Sequence, residues 1–157
     1  MQVRSRHRRG LASFPRLLIL TPAIFKPYAD ELAAMREADG IPTVVTLIDQ
    51  VFNEFSGGVV DMRATRDYIR FLYDRAPVDA QRLEYVLFFG DGHYNYRGLG
   101  GEQLEMTNWI PPYETDDSLT PDKSFTSDDY FGLLDPDEGV WPYDTFGSPA
   151  PRGALVE

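Results

Sequence analysis

The chain has 157 residues, 43% of them apolar and 13% aromatic, a composition that builds a core and argues against a disordered polymer. Its formal net charge is −10, which argues against general nucleic-acid binding, because phosphate is repelled. There is no cysteine, so disulfides, thiolate metal sites and a cysteine nucleophile are all absent from this chain.

The charge is unevenly spread. Arg4, Arg6, Arg8, Arg9 and Arg16 make the start basic, and no acid precedes Asp30. Between Glu84 and Glu138, 13 acidic residues face only Arg97 and Lys123. Such an excess points either to bound cations or to a solvated loop face.

Residues 1–16 read as a basic leader without fixed structure. Leu17 to Leu20 is too short an apolar run for a secretory signal, and no run approaches the roughly 20 residues of a membrane span. It reads as a strand buried on both faces. "KPYADELAAMREADG" predicts a helix with Tyr28, Leu32, Met35 and Ala38 on its buried side and Gly40 as its stop. Thr43 to Ile48 is a second, β-branched strand. "DQVFNEFSGG" reads as a turn-rich connector. Asp61 is the expected N-cap of a second helix, whose stripe is Thr65, Tyr68, Ile69, Leu72 and Tyr73 and which ends near Ala76-Pro77. Tyr85 to Gly90 is the third strand. The order β-α-β-α-β predicts an α/β fold of three layers: a mainly parallel sheet with right-handed crossovers and helices on both faces.

Beyond Gly98 the chain is rich in loop formers. "NWIPPYET" allows a short extended piece that its prolines confine to an edge, and Asp129 to Asp135 reads as another short strand. There is no internal repeat. Residues 17–139 are expected to form one α/β unit. Residues 140–157 form an irregular tail, and a truncated fold is expected.

Asp91 and His93 follow the third strand, where ligands bind in open α/β sheets, and are the expected cleft-edge residues. Neither a GxxxxGK[ST] nor a GxGxxG pattern is present, so phosphate binding is poorly supported. No GxSxG elbow offers a serine nucleophile. His7 and His93 are the only histidines, and His7 lies in the leader, which argues against a paired-histidine metal site. The acids from Glu114 to Glu138 suit an irregular calcium site, since calcium takes six to eight oxygen ligands; the competing reading is turn caps and solvated loop acids. Asp116, Asp128 and Asp129 are the candidate ligands. Paired carboxylates also serve glycoside hydrolysis, but nothing in the spacing selects it.

Four ordered segments carry a resemblance: "VFNEFSGGVVDMRATRDYIRFLY", "YVLFFGDGHYNYRG", "IPPYETDDSLT" and "SFTSDDYFGLLDPDEG". Together they resemble the gingipain-type cysteine peptidases, in the PorU-like branch of type IX secretion sortases, over roughly Leu17 to Gly139. The resemblance implies a caspase-like α/β fold of two side-by-side subdomains, of which this chain is the first. It implies that the histidine and cysteine of the catalytic dyad lie in the second subdomain and match no position here. His93 is not that histidine, since the family usually carries a small residue at its place. Asn95 stands where an Asp is common. The resemblance also implies structural calcium, a polypeptide substrate for the intact protein, and an extracellular or outer-membrane-surface location. Two functions therefore stand as expectations. One is the non-catalytic first part of a cysteine endopeptidase or transpeptidase. The other is a stand-alone, calcium-stabilised binding module.

Overall fold

The structure, a computed structural model, describes residues 14–93, 109–114 and 126–134. Its elements in chain order are β1 (Leu17–Thr21), α1 (Lys26–Ala38), β2 (Thr43–Leu47), α2 (Ile48–Phe55), α3 (Met62–Asp74), β3 (Tyr85–Phe88), β4 (Tyr113–Glu114) and β5 (Thr126–Ser127). Short 3-10 turns occupy Ala23–Phe25, Asp79–Gln81 and Asp129–Phe131. The first three strands form a parallel sheet in the order β2-β1-β3, and β4 pairs antiparallel with β5.

β1 has a hydrogen-bonded neighbour on each side, and all five of its residues are buried. Alternation sends Leu18 and Leu20 to one face and Leu17 and Ile19 to the other. Leu18 and Leu20 pack with Val51 of α2, with Tyr68, Ile69 and Leu72 of α3, and with Tyr130 and Phe131. Leu17 and Ile19 pack with Ala29 and Ala33 of α1. One helix thus covers one face and two cover the other, which is the expected three-layer arrangement around a parallel sheet.

Three local expectations are corrected. First, α1 turns a different face inward. Ala29 and Ala33 are buried, Leu32 is half-buried, and Tyr28 and Met35 are 62% and 64% exposed. α1 carries apolar residues on two faces, so periodicity alone does not choose between them, and the small alanines let the helix lie close to β1 and β2. Second, "DQVFNEFSGG" is no mere connector: with Ile48, its part up to Phe55 forms α2. Ile48, Val51, Phe52 and Phe55 lie at i, i+3, i+4 and i+7, and the first three are buried. The helix stops where Gly57 and Gly58 take φ of 64° and 87°, and the Gly58 N–H donates back to the Phe52 carbonyl at 2.9 Å. Third, Asp129 to Phe131 is a 3-10 turn rather than the start of a strand, with Tyr130 and Phe131 pressed into the core.

α3 follows expectation. Asp61 caps it, its side chain accepting the Arg63 N–H at 2.9 Å, and Thr65, Tyr68, Ile69 and Leu72 are buried. The Arg63 side chain on Asp61 holds that carboxyl below the usual range. Burial raises the Tyr68 phenol, whose hydroxyl lies 2.8 Å from that of Thr46. Residues 1–13 of the expected leader and the whole 140–157 tail lie outside the described residues. Arg16 belongs to the fold: its N–H donates to the Pro42 carbonyl at 2.8 Å, and its guanidinium pairs with Glu84 at 2.9 Å.

The inward face of α1 is testable by urea denaturation. Ala29→Leu should cost about 1–3 kcal/mol through overpacking. Met35→Lys should stay within about 0.5 kcal/mol. A Met35→Lys penalty as large as that of Ala29→Leu would show that the buried face is the other one.

Candidate functional site

The site lies at the carboxyl end of β3. The Phe89 N–H donates to the Leu20 carbonyl at 2.7 Å, and the buried Thr21 hydroxyl donates to the Phe89 carbonyl at 3.0 Å. These two bonds hold β3 against β1 just before the chain turns. Here α1 leaves β1 over one face, while the chain after β2 runs over the other, and such a divergence opens a crevice at the strand ends.

Gly90 is favoured by close approach. A Cβ on it would lie 3.1 Å from both Cγ1 and Cδ1 of Ile110 and 3.3 Å from Cδ of Pro22. Ile110 is held there because its N–H and that of Trp109 both donate to the Asp91 carbonyl at 2.9 Å. The Asp91 carboxylate accepts the Gly92 N–H at 2.8 Å. Phe25 sets its ring against Phe89 and Trp109, with centroids 6.5 and 5.4 Å away.

A cleft of about 290 Å³ opens beside this turn. Two separate segments border it, Gly90, Asp91 and Gly92 of the turn, here called the near wall, and Thr126, Ser127 and Asp128, the far wall. Phe88, Phe131, Ile110, Pro111 and Pro112 supply apolar surface. Phe88 and Phe131 lie 4.8 Å apart, centroid to centroid. Asp91 and Asp128 are exposed carboxylates, and among the described residues no lysine, arginine or histidine lines the cleft. The walls therefore favour hydrogen-bond donors and cations, and the floor favours apolar groups.

Of the residues expected at the site, Asp91 and Asp128 both line the cleft, on the two segments that border it. His93 is half-buried and sits near enough to Glu114 of β4 to act on its charge. Asp129 is exposed, and its N–H donates to Ser127 Oγ at 3.2 Å. Asp116 lies outside the described residues. Among the described residues no three acids or histidines gather as metal ligands.

Sequence reasoning counted Glu114 only among the acids of a calcium site, and did not name Thr126, Ser127 or Phe131 as site-forming residues. Glu114 Oε1 is buried and has no hydrogen-bond partner among the described residues. Burial raises the pKa of this carboxyl, and His93 works against the rise. The signal available was the proline pair before Tyr113, which confines "YET" to an edge; its pairing with Thr126 and Ser127 is a long-range contact that no local pattern shows.

Gly90→Ala should cost about 1–3 kcal/mol, and Ile110→Val in the same chain should recover part of it. Purely additive effects in denaturant melts would mean that the Gly90–Ile110 contact does not set the turn. Glu114 gives a pH test. Its folded pKa is raised, so folding takes up a proton there. The contribution is fully present below the unfolded carboxylate range and is lost as pH rises through the folded value. Glu114→Gln stays neutral and should gain on the parent chain as pH is raised from the ordinary carboxylate range toward neutral. A melting-temperature difference that stays constant over that range would contradict a buried Glu114 carboxyl.

The sequence pattern that defines Peptidase family C25 matches residues 12–150. No curated protein matches the chain. Among solved structures, the crystal structure of dimeric latent PorU from Porphyromonas gingivalis is similar at 36% sequence identity and a TM-score of 0.60, covering 77% of this chain. The chain spans 12% of that chain's length. Cysteine-peptidase chemistry needs a thiolate, and this chain has no cysteine, so it cannot perform that reaction alone. A family match across most of the chain and a shared α/β fold point the same way: this chain belongs to peptidase family C25, the gingipain-type cysteine peptidases, on its PorU-like side.

Proposed function

We propose that this chain is the non-catalytic first subdomain of a secreted, surface-exposed gingipain-like cysteine endopeptidase or sortase-type transpeptidase. The observation that carries the reading is the cleft at the carboxyl end of β3, in a chain of the family that has no thiol. In the intact protein the histidine and cysteine of the dyad lie on a second subdomain outside this sequence. The thiolate attacks the scissile carbonyl, a thioester forms as the amine leaves, and water or an acceptor amine takes the acyl group.

The part assigned to this chain is binding and orientation. The turn at Gly90 to Gly92 and the segment Thr126 to Asp128 border the groove in which a polypeptide lies. Acidic walls and an apolar floor suit main-chain N–H groups and side chains together. Holding the reacting groups in place is itself a large part of catalysis, so a non-catalytic subdomain influences rate without supplying a reacting atom.

The test uses two preparations. The chain alone should hydrolyse no peptide in a fluorogenic library. A longer polypeptide that also carries the second subdomain should be active and should lose that activity to iodoacetamide, a reagent with no cysteine to modify in the present chain. Hydrolysis by the chain alone, or activity of the longer form that survives alkylation, would overturn the reading.

A further inference from the structure

The far wall of the cleft belongs to residues 126–134, which the topology separates from the sheet that carries the near wall. Tyr130, Phe131 and Leu133 anchor this segment by burial. Apolar contact fixes how deep a segment sits but is not directional, so it leaves tilt and sideways position loosely determined.

Beyond the pairing of Thr126 and Ser127 with β4, directional ties come from α3. Arg66, which does not line the cleft, donates from Nε to the Leu133 carbonyl. Its guanidinium carbon lies 5.5 Å from the centre of the Tyr130 ring. Tyr130 in turn stacks on Tyr113 of β4, with centroids 4.0 Å apart and planes 9° from parallel. β4 is the partner strand of β5, which carries Thr126 and Ser127. One planar cation on a packed helix thus touches the far-wall segment at Tyr130 and Leu133, and Tyr130 links it to β4 and, through the β4–β5 pairing, to β5. A guanidinium combines a fixed donor direction with a flat face that stacks, whereas an ammonium supplies neither.

We propose that Arg66 is a positioning residue that sets the width of the cleft, and thereby which side chains of a bound polypeptide it admits. The second clause rests on the reading of the cleft as part of a polypeptide groove; the first does not.

Because the chain has no cysteine, a pair can be introduced without background. Asp91→Cys and Asp128→Cys place nitroxide labels on two exposed residues across the cleft, and the distance distribution between the labels reads its width. With Arg66 present the distribution should be narrow. Arg66→Ala should broaden it and shift it to longer distance, free guanidinium at low millimolar concentration should reverse part of the change, and Arg66→Lys should fall between the two. An unchanged distribution in both variants, with only a lower melting temperature, would overturn the proposal and leave Arg66 a purely stabilising residue. If Arg66→Ala does not fold, the decision passes to Arg66→Lys, for which an unchanged distribution is likewise contrary. This readout needs neither peptide nor peptidase activity, so its failure is separable from failure of the proposed function. In the longer, active polypeptide, Arg66→Lys should change KM unequally among peptides and leave kcat in place; an equal loss of kcat for all of them would contradict selection by width.

Discussion

Everything in this structure hangs on β1. A strand with a parallel neighbour on each side and helices over both faces has no side exposed to water, so each of its residues must be tolerated in a dry interior. Leu17 to Leu20 meet that demand with large aliphatic side chains, each worth about 1.5–3 kcal/mol when fully buried. Thr21 meets it differently, because its buried hydroxyl is used up on the Phe89 carbonyl. That bond marks where the sheet ends and the site begins.

From the central place of β1 the rest follows. Its two sides are taken by β2 and β3, so the two crossovers must cover opposite faces. α1, drawn in by Ala29 and Ala33, lies on one face; α2 and α3 lie on the other. The crevice at the carboxyl ends is a geometric consequence of this divergence and not a feature added to the fold. What makes the crevice specific is the turn after β3, where Gly90 gives up its side-chain volume to Ile110 and the Asp91 carbonyl gathers two N–H groups.

The two walls of the cleft differ in how they are held. The near wall is an extension of the sheet, tied by main-chain bonds to β1. The far wall is attached by the short β4–β5 pairing and otherwise through side chains: Phe131 against Phe88, Tyr130 on Tyr113, and Arg66 reaching over from α3. Main-chain ladders resist displacement along every rung, while a side-chain attachment is as stiff as its few directional contacts. The two sides of the cleft are thus held by different kinds of contact. The acids that crowd this half of the sequence appear at the cleft as Asp91 and Asp128, which carry their charge toward solvent.

The amino-acid sequence by itself determined the strand–helix alternation, the double-faced burial of β1, the Asp61 cap, the inner stripe of α3, and the absence of thiolate chemistry. Each is written in residues close together in the chain or in composition, so local physics suffices. α2 was also legible, since Ile48, Val51, Phe52 and Phe55 show helical spacing, but the Asp, Asn, Ser and Gly around them look like turn formers when taken one at a time. Only the tertiary structure decided which face of α1 turns inward, because Tyr28 and Met35 compete with Ala29 and Ala33 until the sheet sets how near the helix must come. It alone brought Ile110 onto Gly90, Glu114 near His93, and Thr126 and Ser127 beside Tyr113. Those pairs are far apart in the chain or joined by loops without periodicity, and contacts of that kind are selected by packing, not by propensity.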